Sequence, residues 1–269
     1  MTKVKQVVAV SGAASGIGLA LVKQLIGEGC AVAASDISAK NLAALRPLAD
    51  EQHLLLSCVD AAEQTAVALW AAEVKEHFGR IDAVINNAGV SLSCHAAEQP
   101  REHFSWLMNI NFWGVVNGCE AFLPYVKDAG GCIVNISSLF GLLAVPSQSA
   151  YNAAKFAVRG YSESLRQDLK GSGVAVLTVH PGGIKTNIAR NGRHFHDLHG
   201  KESDLDATAA NFDKVARTSP ERAAAKIIHA MRRRRRRLLI GSDAVFLDWV
   251  QRLFPANYDR WLAPLIRLS

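Results

Sequence analysis

The sequence predicts an α/β domain: a doubly wound parallel sheet of about seven strands, with helices on both faces. Three observations carry this. Short apolar runs of strand length alternate with helix-patterned segments along the 269 residues. A glycine-rich turn joins the first run to the first helical pattern. The second run ends in an acidic residue about twenty positions beyond those glycines. The length and the 49% hydrophobic content suit one such domain with a sizeable core.

Composition narrows the setting. Cys30, Cys58, Cys94, Cys119 and Cys132 are scattered, odd in number and without a C-x-x-C pair. That fits buried free thiols in a reducing compartment, not a disulfide frame. The net charge is +6, but Arg232 to Arg237 form one run, so the mean charge says little about the surface. The basic and then apolar N-terminus superficially resembles a signal peptide, although the glycines account for it better. No uninterrupted apolar run reaches the roughly eighteen residues of a membrane span. A cytoplasmic protein is expected.

Val7 to Val10 read as a buried parallel strand. Gly12, Ser15, Gly16, Ile17 and Gly18 follow in a G-x-x-x-G-x-G turn that opens a helix. Such a turn lets backbone N–H groups approach a pyrophosphate, and the helix N-terminus adds partial positive charge. The turn reads as a dinucleotide site, although its spacing is not the G-x-G-x-x-G of other Rossmann folds. The second strand, Ala31 to Ser35, ends at Asp36, where a carboxylate can take the cofactor's ribose hydroxyls and would repel the extra phosphate of NADP. The nearest base is Lys40, so NAD is the expected cofactor. Leu54 to Asp60 read as the third strand. Residues 63–78 read as a helix with Trp70 in the core. Ile81 to Ile85 form the next strand and lead into Asn86-Asn87-Ala88-Gly89. Two amides there can tie neighbouring strands, and Gly89 lets backbone pass close to a ligand. Ser91, Leu92 and Cys94 are candidates to meet substrate. Residues 101–127 read as one long helix.

The run Ile133 to Ile136 ends in Ser137-Ser138. After a loop, Tyr151 and Lys155 stand four apart on one helix face. An ammonium beside a phenol favours the phenolate, and the tyrosine can then act as acid or base near neutrality. The next strand, Val174 to Val179, is followed by His180, read as a structural residue, and by Pro181-Gly182-Gly183-Ile184-Lys185-Thr186.

Over roughly residues 5–190 these motifs resemble the short-chain dehydrogenases/reductases. The resemblance implies a catalytic set of Ser138, Tyr151, Lys155 and Asn111. Ser138 would hold the substrate oxygen, Tyr151 would move the proton, and Lys155 would lower the pKa of Tyr151 and bind the nicotinamide ribose. Asn111 would bend its helix and anchor a water beside Lys155. It implies cofactor contacts from the glycine turn, Asp36, Val59, Asp60 (at the adenine), Asn87, Ala88, Gly89, Tyr151, Lys155, Pro181 and Gly182. Ile184 and Thr186 would hold the carboxamide. Ser11 stands where the family usually has Thr. The reaction implied is hydride transfer between NAD and a secondary alcohol or ketone, in a homodimer or homotetramer. Ser138, Leu139, Val145, Tyr151 and Gly183 are the substrate candidates. With Phe140, Leu142 and Pro146 they suggest an apolar substrate. The alternative is an NAD-binding scaffold or redox-sensing protein of the same fold with little turnover.

The domain is read as residues 1–241, with a variable substrate loop at about 187–217. His194, His196 and His199 lie in that loop; without a strand or helix to fix them they make a solvated loop, and no metal is expected. Pro220 opens a helix that runs into the arginines, where cations suit a helix C-terminus; no nucleic-acid module accompanies them. Residues 242–269 read as an amphipathic helical extension. Its stripe of Val245, Phe246, Trp249, Val250, Leu253 and Phe254, continued by Tyr258, Trp261, Leu262, Leu265 and Ile266, requires burial on the domain, on another subunit or at a membrane surface, the last being less favoured.

Overall fold

The computed structural model describes residues 4–197 and 216–260, together with positions 202, 206 and 210. In chain order the elements are β1 (Val7–Ser11), α1 (Gly16–Gly27), β2 (Ala31–Asp36), α2 (Ala39–Ala43), β3 (Leu54–Cys58), α3 (Gln64–Phe78), β4 (Ala83–Asn86) and β5 (Leu92–Ser93). There follow α4 (Arg101–Met108), a π-helical turn at Asn109–Trp113, α5 (Gly114–Asp128), β6 (Cys132–Ile136), α6 (Ser149–Asp168), β7 (Ala175–Pro181) and β8 (Arg193–His194). The last are α7 (Pro220–Arg232), β9 (Arg237–Ile240) and α8 (Ser242–Leu253).

Seven strands form one sheet in the order β3-β2-β1-β4-β6-β7-β9. Every pairing in it is parallel. Strand alternation then sorts the core into two layers. Val8 and Val10 join Leu21, Leu25, Val134, Leu177 and Ile227 on the face covered by α1 and α7. Val7 and Ala9 join Trp70, Val84, Phe122, Ile133 and Val158 on the face covered by α3, α5 and α6. Trp70 meets Phe122 edge to face at 4.9 Å, as a core residue. Strands buried on both faces read as continuous apolar runs, which is why they stand out in the sequence. The strand order reverses between β1 and β4, and a ligand crevice opens at the carboxyl ends there.

Four local readings change. The third strand stops at Cys58 because Asp60 turns the chain by accepting the Ala62 N–H at 2.9 Å. The long helix is broken by the π turn at Asn109–Trp113, so the bend expected at Asn111 is present. The stretch at 193–194 is not a solvated loop: it pairs as β8 with β5. Cys58 is exposed, whereas the other four cysteines are buried.

Three of the six arginines in the run are tied into the fold. Arg232 bonds Gln6 and Glu28, Arg234 bonds the carbonyls of Gly130 and Gly173, and Arg237 forms an ion pair with buried Asp248 on α8. That ion pair turns the polar side of α8 inward. Ala244 and Asp248 are buried, while Val245, Phe246, Trp249 and Leu253 face solvent, Trp249 at 59%. The stripe read from the sequence exists, but it is not buried on its own domain. Trp261, Leu262, Leu265, Ile266 and His199 lie outside the described residues. No helix among the described residues is long and apolar enough to cross a membrane.

Candidate active site

The glycine turn is held from below by the Asn87 segment. Gly12 and Gly16 have φ of +61° and +52°, a region that favours glycine. A Cβ on Gly12 would lie 2.7 Å from the Ala88 Cα, and one on Gly18 would lie 2.1 Å from the Gly12 carbonyl oxygen. The Ser11 Oγ accepts the N–H groups of Asn87 and Ala88, each at 3.1 Å. The Asn87 amide donates to the carbonyls of Ser11 and Gly12 at 3.0 Å. The hydroxyl at position 11 is thus a structural necessity. Ser15 is the N-cap of α1 and makes no side-chain capping bond, so Ile17 and the other first-turn N–H groups begin the helix at the crevice.

Asp36 accepts the Ala14 N–H and the Ser38 N–H, both at 3.0 Å. It therefore links the end of β2 to the glycine turn. The Val59 N–H reaches the Asp36 carbonyl at 3.1 Å, which brings the Val59–Asp60 corner to the same edge.

The opposite side of the crevice is built by β4, β6 and α6. Asn86 donates to Asn135 at 2.8 Å, Asn135 to Ser162 at 2.9 Å, and Ser162 to the Val158 carbonyl at 2.6 Å. This buried chain fixes α6, which carries Tyr151 and Lys155, to the sheet. Fully buried Asn111 holds Val90 by both its N–H (2.8 Å) and its carbonyl (2.9 Å). Both side-chain polar atoms of Asn111 are engaged there. A Cβ at Gly89 would sit 3.2 Å from the Asn111 Oδ1 and 3.5 Å from the Lys155 Nζ. Gly89 thus gives both residues room.

Ser138, Tyr151 and Lys155 do converge. Lys155 is 4% exposed; its Nζ donates to the Ile136 carbonyl at 3.0 Å and lies 5.7 Å from the centre of the Tyr151 ring. Burial pulls its ammonium down to about 8. Burial raises the Tyr151 phenol, while its hydrogen bond with Ser138 works the other way. The phenol-lowering contact expected from Lys155 is therefore not formed; Ser138 is the group that lowers it. The reason is geometric, since the ammonium is tied to β6 behind the ring. Ser138 also accepts the Phe140 N–H at 3.1 Å. Phe140 stands edge-on to Tyr151 at 6.2 Å and forms an apolar wall beside the phenol.

His180 is a fully buried residue that supports Ser138. Its Nδ1 lies 3.1 Å from the Ser138 carbonyl. Burial pulls its imidazole down to about 4, so it is neutral at pH 7 and no base. In the unfolded chain a histidine titrates near about 6.5. Between the two values the unfolded chain holds the extra proton. The stability contributed by this group is therefore complete above about pH 6.5 and is lost as pH falls towards 4, roughly 3 kcal/mol in all. His180→Gln is expected to flatten the fall in urea stability between about pH 7 and about pH 5. An unchanged slope would remove His180 as its source.

Other expected substrate residues are taken up in packing clusters beside the site. Leu92 and Cys94 are core, packed with Leu107, Ala150 and Ala154. Leu139 and Leu142 are buried against Ala244 of α8, with Val145 and Tyr258 at the edge of that cluster. The Tyr258 hydroxyl accepts the Ala144 N–H at 3.0 Å. Gly183 has its N–H on Asp243 and its carbonyl under the N–H groups of Arg217 and Thr218. Pro181 and Gly182 end β7, Ile184 bridges Thr218, and Thr186 comes within 3.1 Å of a Cβ built on Gly16. The loop after β7 therefore closes on the glycine turn. Near the entrance, His196 meets Glu98 at 3.1 Å, and Arg193 lies over the Trp106 ring at 3.9 Å. No group of side chains among the described residues could hold a metal ion.

Residues 6–197 match the family model described as short chain dehydrogenase. The chain belongs to that family. Over 264 residues it is 41% identical to SadH of Mycobacterium tuberculosis, which carries the name of an oxidoreductase; 96% of this chain and 94% of SadH are covered. It is 35% identical over 201 residues to the 3-ketodihydrosphingosine reductase of Bacteroides thetaiotaomicron, covering 74% of this chain and 71% of that one. A short-chain dehydrogenase/reductase from Burkholderia phymatum, solved with NAD, superposes with a TM-score of 0.82 at 24% identity, covering 93% and 94% of the two chains. Others of the same fold were solved with NADP. As a member of this family the chain is an oxidoreductase with a Rossmann-like NAD(P) fold. The family match stops short of α8, and sequence reasoning missed the two contacts that tie α8 and Tyr258 to the site. The Asp243 contact left one signal, the glycine at position 182; the Tyr258 contact left none.

Proposed function

We propose that this short-chain dehydrogenase moves a hydride reversibly between NAD and an apolar secondary alcohol or its ketone. The observation that carries the reading is the meeting of Ser138, Tyr151 and buried Lys155 on the β4–β6 side of the crevice. The glycine turn fits a dinucleotide, because a Cβ at Gly12 or Gly18 would fill the close packing that lets backbone N–H groups face the crevice. NAD, when bound, supplies the hydride acceptor at C4 of its nicotinamide ring. Gly12, Gly16 and Gly18 would hold its pyrophosphate, Asp36 its adenosine ribose, Lys155 its other ribose, and Ile184 and Thr186 its carboxamide. In the oxidation direction Tyr151, as phenolate, takes the hydroxyl proton of the alcohol. Ser138 donates a hydrogen bond to the substrate oxygen and keeps it within reach of Tyr151. Lys155, protonated below about pH 8, stays tied to the Ile136 carbonyl behind the ring, where it would face the nicotinamide ribose. Phe140 shields the phenol from water.

NAD is preferred over NADP on the strength of Asp36 and its neighbours Ile37 and Ser38, none of them basic. NADH is expected to bind more than about tenfold more tightly than NADPH, since a carboxylate beside a phosphate is strongly unfavourable. Nicotinamide fluorescence titration checks this, and a preference for NADPH would overturn it. Asp36→Ala should relax the preference and also loosen the glycine turn, because Ala14 loses its acceptor.

A homodimer or homotetramer is supported by large apolar side chains left in solvent on two neighbouring helices. Trp113, beside α5, and Phe156 on α6 are half exposed or nearly so. Sedimentation should give at least a dimer, and Trp113→Glu with Phe156→Glu should shift it towards monomer. A monomeric wild type would reject this interface. The chain is read as a catalytic unit over 1–241 with 242–269 as its extension.

A further inference from the structure

We propose that Asp243, at the start of α8, is a positioning residue for the nicotinamide end of the cofactor site. The proposal rests on the dinucleotide reading above. Its carboxylate accepts the Gly183 N–H at 2.8 Å, in the middle of the loop Pro181 to Thr186. That loop has two other sets of ties: the N–H groups of Gly182 and Lys185 on the Ile240 and Thr218 carbonyls at 2.8 and 2.9 Å, and the Gly183 carbonyl under the N–H groups of Arg217 and Thr218, each at 3.2 Å. All are backbone bonds and survive any side-chain change. Among the described residues, Asp243 supplies the one side-chain bond to the loop's centre, one residue before Ile184 and three before Thr186.

Two glycines make room for this carboxylate. A Cβ at Gly241 would lie 2.1 Å from the Asp243 Oδ1, but Gly241 has φ +108° and needs to be glycine in any case. Gly182 is the informative one. Its φ is ordinary, yet a Cβ there would lie 2.1 Å from the Asp243 Oδ2 and 2.6 Å from its Cγ. The three atoms nearest to that Cβ all belong to Asp243. An aspartate in the first turn of a helix also stabilises the helix. A merely structural role would stop there; a positioning role requires the Gly183 bond.

The two roles separate by which half of the dinucleotide is affected. The probes are the reduced dinucleotide the wild type binds more tightly (NADH or NADPH), and the matching fragment without nicotinamide (ADP-ribose or its 2′-phosphate). Asp243→Ala is expected to weaken the dinucleotide about tenfold, as for loss of a charge-assisted hydrogen bond, and to leave the fragment within about twofold. Asp243→Asn keeps an acceptor oxygen and should stay within about threefold of wild type for both. Gly182→Ala should reproduce the Asp243→Ala pattern, because its methyl displaces the carboxylate. Circular dichroism melting confirms that each variant is folded. If Asp243→Ala binds the dinucleotide like wild type, or loses both probes equally, the positioning role is rejected and Asp243 only stabilises the first turn of α8. If wild type binds neither probe, the dinucleotide reading itself fails and this inference falls with it.

Discussion

Tyr151→Phe is expected to bind NADH like the wild type and to lose about 10²- to 10⁴-fold in kcat, the range for removing a positioned general acid or base. The substitution deletes one oxygen from a partly buried ring and leaves its packing intact. Phe140 still meets the ring edge-on, and Lys155 keeps its bond to the Ile136 carbonyl. Stability should therefore change by less than about 1 kcal/mol, the net value of an ordinary hydrogen bond. The hydroxyl matters because burial alone raises its pKa and only the Ser138 bond opposes that. Ser138→Ala should for the same reason lower kcat and move the pH profile of any residual activity to higher pH. Steady-state rates with NAD and a series of apolar secondary alcohols, alongside NADH titration, test both. Turnover retained by Tyr151→Phe would take Tyr151 out of the mechanism.

Gly18→Ala should damage the cofactor site as severely from the opposite side. On helix propensity alone the change is favourable by about 1 kcal/mol, since Gly18 lies in the first turn of α1. Packing decides otherwise. The new methyl would lie 2.1 Å from the Gly12 carbonyl oxygen and 2.8 Å from the Asn87 Nδ2. Neither neighbour is the loose end of a flexible chain: one is backbone, and the other is held by two hydrogen bonds. The turn has to open, at a cost of about 1–3 kcal/mol or more for overpacking a closed contact. The glycine turn is also where the pyrophosphate would lie, so the same displacement should weaken NADH by about 100-fold. Calorimetric melting and NADH titration give the two numbers. A variant that melts lower but keeps its NADH affinity would show that the turn does not hold the cofactor.

What could be read in advance divides along physical lines. The strands were legible because burial on both faces makes them apolar throughout, and the glycine turn because backbone geometry limits which residue it accepts. The pattern over 101–127 reads as one continuous helix, and its bend at Asn111 was expected only from the family resemblance. The loops were not legible. Leu92, Cys94 and Leu139 carry the same side chains whether they line a pocket or fill a core, and only the approach of α4, α6 and α8 decides it. The stripe on α8 was seen, but its direction was not, because an ion pair between Arg237 and Asp248 overrides the apolar pattern. Asp243 was invisible for a related reason. Its partner is a backbone N–H, which leaves no trace in residue type except the absence of a side chain at 182.

The stitching of Ser11 and Gly12 to Asn87 and Ala88 also bears on modularity. The first sixty residues look like a portable nucleotide-binding cassette, with their glycine turn, helix and acidic strand end. Their floor, however, arrives more than seventy positions later, and β1 gains its second neighbour in the sheet only when β4 is in place. During synthesis the turn stays unfinished until that distant segment has left the ribosome. A fragment ending after β3 would expose the Ser11 hydroxyl and the Gly12 carbonyl to water in place of Asn87. Grafting the turn onto another scaffold would therefore mean grafting the Asn87 segment with it, as one discontinuous unit.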